Sequence, residues 1–307
     1  MTAPSPAADP APSADPALSA DPSLADDLAL ALAIAADADL VAIDRYRAQD
    51  LQVRLKTDRT QVTDADQRVE HLVRDRLAAA RPDDAILGEE VGSDAPAGEP
   101  HRQWSVDPID GTSNFVRGVP DWGLLLALVV DGVPQLGVVS APALGRRWWA
   151  ATDHGAWLRR IGPGSGAGSE PRRIAVSGVE DLAEASISYN SLKGWDEAGR
   201  LDALVALSRS VGRTRAYGDL WSYMLVAEGA VDVAGEFDLK PWDVAAVVPV
   251  IREAGGTVTT IDGGEDVLTD GGLLVSNGHL HGDGQRVLEA KNPHPGVRAL
   301  TSSQRLH

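Results

Sequence analysis

The chain has 307 residues, 43% of them hydrophobic, with a formal net charge of −17 and no cysteine. That length holds two modest domains or one large one, and no apolar run approaches the ~20 residues of a membrane span, so a soluble protein without a membrane partner is expected. Absent thiols exclude disulfides, thiolate metal sites and cysteine nucleophiles, and so acidic a surface repels phosphate backbones, which argues against nucleic acid as a partner.

In chain order, the first segment is a tail built from Ala, Pro, Ser and Asp, with Ala-Asp-Pro recurring at Ala8, Ala14 and Ala20. It holds too little apolar surface to offset its ordering entropy, so residues 1–24 are expected to be disordered. Asp9, Asp15, Asp21, Asp26 and Asp27 precede any base and leave −12 for residues 28 to 307. The opening "MTAPSPAADP" lacks a basic and then apolar stretch, so it does not read as a secretory signal, and a reducing cytoplasm is the expected location. From Asp26 an Ala/Leu-rich helix is predicted to about Gln49, with acids in its first turn. A second helix follows Thr63-Asp64, because Val69, Leu72, Val73, Leu77 and Ala80 recur at helical spacing before Pro82.

The period then changes. "DAILGEE", "QWSVD", "LLLALVV", "VPQLGVVSA" and "RRWWAAT" are short β-rich runs, punctuated by Asp131-Gly132 and Asp153-His154-Gly155, and predict an antiparallel meander. Arg146-Arg147, Arg159-Arg160 and Arg172-Arg173 read as solvated strand ends. Beyond the loop "GPGSGAGSEP" the elements alternate: a strand at "ASISYNS", helices near Glu197–Ser210 and Asp219–Glu228, a strand "AVDVAGEF", a helix Asp243 to Ala254, and strands "TVTTI" and "LLVSN". Alternation of this kind indicates layered α/β structure. The expected organisation is an N-terminal helix-plus-sheet half at 25–172, a C-terminal α/β half at 173–290 and a loose tail at 291–307.

Chemistry concentrates in "WSVDPIDGTSNF", Trp104 to Phe115. Asp107 and Asp110 flank a proline-kinked turn and can converge on one point, with the Ile109 carbonyl as a third oxygen, a donor set that suits a hard cation such as Mg²⁺. Gly111, Thr112 and Ser113 would offer backbone N–H groups to a phosphate at the start of a short helix. An isolated D-x-x-D-G reads equally well as a capped turn. Two distant features favour the metal: "GEE" sets Glu89 at a strand end, and "PWDVAA" sets Asp243 at a helix start, where it is otherwise an N-cap. Four acids of this kind are what a two-metal hydrolase needs.

"GEE", "DPIDGTSNF" and "WDVAA", in this order over roughly residues 30 to 290, resemble the inositol monophosphatase-like family of Mg²⁺-dependent, lithium-sensitive phosphatases. The resemblance implies the αβαβα sandwich shared with fructose-1,6-bisphosphatases, a homodimer, and a small phosphate monoester as substrate. It implies metal ligation by Glu89, Asp107, the Ile109 carbonyl, Asp110 and Asp243. "KTDRTQVTDADQRVE" looks like the family's first motif and puts Asp66 at its water-activating acid, working through Thr112, with Glu89 also in the catalytic set. "RGVPDWGLLLALVVDGVPQLGVVSAPALGRRWWA" and "YGDLWSYMLVAEGAVDVAGE" look most like the family's histidinol-phosphate phosphatases, found in histidine biosynthesis of some high-GC bacteria. The implied reaction is hydrolysis of L-histidinol phosphate. An inositol-1-phosphatase or promiscuous sugar-phosphate phosphatase, and a non-catalytic Mg²⁺- or phosphoester-binding regulator, are the alternatives.

Asp219 and Glu236 are the discriminating positions for substrate. The family's inositol phosphatases have a small residue at the first and use the acid at the second for substrate hydroxyls; an added carboxylate suits a cationic amine. Asp219 reads equally well as the cap of "DLWSYMLVAEG". Ser113 departs from the Lys or Thr of many relatives. Other signals are set aside: "DADLV" at Asp37 matches a haloacid-dehalogenase motif but lies in a helix, and is read as a solvated face. "GPGSGAG" lacks a P-loop Lys-Ser/Thr. His279 and His281 share no motif with His71 or His154. Trp148, Trp149 and Trp221 read as core or interface, and Pro249 as a kink or a first-turn proline.

Overall fold

The computed structural model describes residues 23–57, 59–95, 100–162, 168–269 and 271–289. The expected disorder of the first 22 residues, the core of the glycine-rich loop after Gly162 and the tail from Lys291 lie outside them; Leu24 already belongs to a helix.

The N-terminal part runs α1 (Leu24–Arg45), β1 (Val53–Leu55), β2 (Gln61–Thr63), α2 (Asp64–Ala80), β3 (Ala85–Gly88), β4 (Gly92–Ser93), β5 (Arg102–Asp110), α3 (Thr112–Arg117), β6 (Gly123–Val130), β7 (Val133–Ala141), β8 (Arg146–Ala151), β9 (Ala156–Arg160) and β10 (Arg172–Arg173). The C-terminal part continues with β11 (Ser186–Tyr189), α4 (Leu192–Glu197), α5 (Leu201–Ser210), β12 (Arg213–Arg215), α6 (Asp219–Ala227), β13 (Val233–Leu239), α7 (Pro241–Val244), α8 (Val247–Glu253), β14 (Thr257–Thr260), β15 (Gly271–Ser276) and α9 (His281–Glu289).

One sheet has the order β10-β9-β8-β7-β6-β5-β3-β4, the other β12-β11-β13-β15-β14. The first is the antiparallel meander read from the turn signals, apart from the parallel β3–β5 pair. The second is mixed, with β11 parallel to β12 and β13, and β15 antiparallel to β13 and β14.

The layer order follows from which faces are apolar. Along β6, Leu124, Leu126 and Leu128 join a core with α1 and α2, whereas Leu125, Ala127 and Val129 join a core with α6 and α8. A strand buried on both faces must be apolar at every position, which is why "GLLLALVV" shows no alternation. β13 and β15 cover the far side of α6 and α8, and Trp195, Leu204, Leu207, Leu280 and Leu288 form a third core on the outside of the second sheet. The result is an αβαβα sandwich. Gly137 makes close packing at its centre possible, since a Cβ there would lie 2.1 Å from the Ala246 carbonyl oxygen.

Several expectations are corrected. Helix α1 stops at Arg45 rather than near Gln49, because Tyr46 turns extended and packs its ring against Phe115 and Trp122. Gly199, at φ 69°, lies between α4 and α5, which replace one predicted helix. The predicted helix at Asp243 divides into α7 and α8, with Pro249 in the first turn of α8, where its missing N–H costs no intrahelical bond. "DADLV" is not uniformly solvated: Asp37 is on the surface, but Asp39 is buried, with Oδ2 2.6 Å from Arg147 Nη2 and 2.9 Å from Ser140 Oγ. Arg147 is therefore a buried cross-layer partner, not a solvated strand end. Trp148 is fully buried and donates to Glu228, as expected of a core tryptophan. His281 bonds Thr259 and Ser276. Among the described residues no helix is long and apolar enough to cross a membrane.

Candidate active site

Strand β5 ends in an irregularity that determines where two carboxylates go. Asp107 pairs with Leu125 and Asp110 with Gly123, so β5 carries one extra residue over this stretch. Pro108 has no N–H for the ladder, and the bulge turns the strand end. Asp107 Oδ1 accepts the Ile109 N–H at 3.0 Å. Asp110 Oδ2 accepts the Leu220 N–H at 2.6 Å, from the start of α6. Asp243, in the single turn of α7, accepts the Lys240 N–H at 2.8 Å. One oxygen from each of Asp107, Asp110 and Asp243 lies within 4.8 Å of the others.

Each acid is thus oriented by one backbone amide, leaving other lone pairs to converge. Burial pushes Asp107 and Asp110 well above the usual carboxylate range, and neighbouring acids push further: Glu89, Asp110 and Asp243 on Asp107, and Asp219, Asp243 and Glu236 on Asp110. Burial likewise raises Asp243 to about 7. An oxygen-only donor set under mutual repulsion fits a hard divalent cation, which relieves the repulsion and supplies the missing charge.

Glu89 follows β3, and its N–H bonds the Val106 carbonyl at 3.1 Å, prolonging the parallel pairing toward Asp107. Its carboxylate borders Asp107 yet lies outside the tight triad, because Lys56 Nζ holds it at 2.7 Å and reaches Glu90 at the same distance. The Ile109 carbonyl accepts from Thr112 Oγ1 at 3.0 Å. That hydroxyl is also 3.2 Å from Asp66 Oδ1, so its single proton has two acceptors. Asp66 is buried at the third position of α2, its other oxygen held by the Thr63 N–H and hydroxyl in a capping box. Burial raises its pKa to about 6, against the lowering effect of the Thr63 hydrogen bonds.

Gly111 has φ 80°, a left-handed conformation that a β-carbon disfavours, and a Cβ there would sit 2.8 Å from the Asp121 carbonyl. The next two residues, Thr112 and Ser113, open α3, whose first N–H groups have no intrahelical acceptor. Ser113 is exposed.

Asp219 sits across the cleft at the first position of α6 with φ 43°. It does not cap its helix: its oxygens accept instead from Asn114 Nδ2 at 2.7 Å and Asn190 Nδ2 at 3.3 Å. Glu236, buried on β13, accepts from the same Asn190 amide and from the Tyr223 hydroxyl at 3.0 Å. Burial raises Asp219 to about 6 and Glu236 to about 8. The predicted acids Asp66, Glu89, Asp107, Asp110, Asp219, Glu236 and Asp243 therefore form one chain of neighbours around the end of β5, Asp66 beside Glu89, Glu89 beside Asp107, and Asp219, Asp243 and Glu236 beside Asp110. Sequence reasoning missed Lys56, Asn114, Asn190 and Tyr223, which hold them. Lys56, Asn114 and Tyr223 lie inside the motifs already singled out, but Asn190 carries no local signal.

The inositol monophosphatase family model matches residues 24–292. A histidinol-phosphatase of Streptomyces coelicolor is 50% identical over 258 residues, covering 83% of this chain and 92% of that protein. A histidinol-phosphatase of Mycobacterium tuberculosis is 50% identical over 254 residues, covering 83% and 94%. The extragenic suppressor protein suhB of Bartonella henselae superposes with a TM-score of 0.75 at 28% identity, covering 86% of this chain and 98% of that one.

Proposed function

The chain belongs to the inositol monophosphatase family and is a phosphoric monoester hydrolase, and on that premise we propose that it hydrolyses L-histidinol phosphate to L-histidinol and phosphate with Mg²⁺. The observation that carries this reading is the convergence of Asp107, Asp110 and Asp243, within 4.8 Å, beside the Asp66–Thr112 pair, in a chain half identical to two histidinol-phosphatases. We also expect a cytoplasmic homodimer acting in histidine biosynthesis, with the cleft between the halves 25–172 and 173–290 as the site.

Asp107, Asp110, Asp243, Glu89 and the Ile109 carbonyl would hold the cation. When bound, the metal neutralises phosphate charge and stabilises the alkoxide that leaves. The chain's own residues do the rest. The N–H groups of Gly111, Thr112 and Ser113 orient the phosphate oxygens. Thr112 Oγ1 passes its proton to Asp66 Oδ1 and takes one from the attacking water, whose oxygen then forms the new bond to phosphorus in line with the breaking P–O bond. Asp66 suits this task because Thr63 saturates its far oxygen, leaving Oδ1 toward Thr112. Asp219 and Glu236 face the leaving group, where two carboxylates favour a cationic amine over a neutral polyol.

The test is phosphate release from L-histidinol phosphate and inositol-1-phosphate side by side, with Mg²⁺ and with EDTA. Mg²⁺-dependent preference for the first, reduced by Asp219→Ala, is expected. Preference for the second overturns the substrate, and release from neither monoester overturns the hydrolase mechanism.

A further inference from the structure

Glu70 is buried on α2, one turn after Asp66, and its carboxylate serves a loop rather than its own helix. Oε2 accepts the Glu90 N–H at 2.7 Å and Oε1 the Val91 N–H at 3.2 Å. Both amides belong to the turn between β3 and β4, where Gly88 pairs with Gly92 and Glu89, Glu90 and Val91 lie between them. Glu89 is thus fixed from two sides. Its own N–H is tied to the Val106 carbonyl, and the next two amides are tied to Glu70. Arg74, a further turn along α2, completes the bracket. Its Nε lies 2.8 Å from Glu70 Oε1, its Nη2 donates to the Gly92 carbonyl, and its Nη1 lies 3.3 Å from Asp94, whose other oxygen accepts the Ile86 N–H at 2.6 Å. Gly88 is an independent sign of the same contact. A Cβ there would lie 2.1 Å from Glu70 Oε1 and 2.9 Å from Arg74 Nη2, so the glycine of "GEE" makes room for the carboxylate.

A buried ion pair gains little stability over an apolar pair of the same volume, so Glu70 and Arg74 need a reason beyond packing. The loop they hold supplies one. Glu89 has a flexible side chain and lies outside the tight triad of Asp107, Asp110 and Asp243, so its reach to a shared cation depends on where its backbone is set. Lys56 holds the Glu89 carboxylate, but it does not hold that backbone. We propose that Glu70 is a positioning residue for the metal site, fixing the loop so that Glu89 is presented beside Asp107 and thereby setting the affinity for Mg²⁺. This rests on the metal set proposed above.

The experiment titrates Mg²⁺ into the substrate-free full-length protein by calorimetry, for wild type, Glu70→Gln, Glu89→Gln and the double variant, with melting temperatures in EDTA. Asp27→Asn, a buried acid of the same layer bound to two arginines, is the control. Glutamine has one acceptor oxygen where glutamate has two, so a loop amide or Arg74 loses its partner. Glu70→Gln is expected to weaken Mg²⁺ binding about tenfold, and the double variant to bind no more weakly than Glu89→Gln alone. Asp27→Asn should lower the melting temperature and leave Mg²⁺ affinity unchanged. If Glu70→Gln does not fold, Arg74→Lys, which keeps the charge beside Glu70 but loses the arm to Gly92, should weaken Mg²⁺ binding in the same direction. Unchanged affinity in the folded Glu70→Gln or Arg74→Lys protein, additive losses in the double variant, or an equal loss in Asp27→Asn overturns this proposal alone. Wild-type affinity in Glu89→Gln removes Glu89 from the metal set and this inference with it, and a wild type that takes up no Mg²⁺ removes the metal reading itself.

Discussion

Two regions of the molecule bury aspartates in opposite ways. In the layer where α1 and α2 cover the first sheet, three buried acids have arginine: Asp39 binds Arg147, Asp27 binds Arg81 at 2.7 Å and Arg102 at 2.8 Å, and Glu70 binds Arg74 at 2.8 Å. Around the end of β5, Asp66, Asp107, Asp110, Asp219, Glu236 and Asp243 are held by backbone amides, hydroxyls and carboxamides. The first arrangement is complete in the chain itself. The second is electrostatically unfinished, and what completes it must bring positive charge. A cluster of buried acids without bases marks a functional site, with Glu89, held by Lys56, the one proposed ligand that is paired among the described residues.

The sharpest way to break the comparison is Asp110→Asn. Turnover is expected to fall by more than the roughly 10–100-fold typical of residues supporting a metal's ligands, with melting unchanged or raised. Retained phosphate release would show that Asp110 is not a ligand. In the paired layer, Arg147→Ala should do the reverse, lowering stability by roughly 3–5 kcal/mol because Asp39 is left buried and uncompensated, while kcat per folded molecule stays close to wild type. Denaturant unfolding checks this, and a change under about 1 kcal/mol would mean that Asp39 reaches water or protonates.

A pH series sharpens the contrast further. Asp66 and Asp219 at about 6, Asp121 at about 7 and Glu236 at about 8 all lie above ordinary carboxylates, so the folded chain keeps protons that the unfolded chain has released. Their contribution to stability is present at acid pH and is lost as pH rises toward 8. In EDTA, melting temperature should decline from about pH 5 to pH 8, and Mg²⁺ should recover most of the loss at the alkaline end. A flat profile in EDTA would contradict the raised pKa values. The smallest expected effect is Arg76→Ala, which removes the exposed partner of Asp37 and should cost about 1 kcal/mol or less, against the several expected at Asp39 only two residues along.

That last pair also shows where sequence reading stops. Asp37 and Asp39 sit in one Ala-rich helix, and nothing local separates them. One is buried because Arg147, 108 residues later, returns across the sheet beneath α1. The same holds in the cleft. "DPIDGTSNF" carried Asp107, Asp110 and Thr112 with their chemistry, since close acids, a proline bulge and a glycine turn are short-range features. Asn190 and the strained start of α6 that delivers the Leu220 N–H to Asp110 were invisible, since each acts through residues far away in the chain.

The sequence by itself determined the change from helices to an antiparallel meander to alternating α/β elements, and the acids that carry the chemistry. Periodicity, turn residues and side-chain chemistry are local properties and can be read in place. Only the tertiary structure decided which acids received an arginine and which were left to meet a cation, and that Asp219 does not cap its helix. Those outcomes depend on distances between segments about a hundred residues apart, set by the packing of two sheets around α6 and α8.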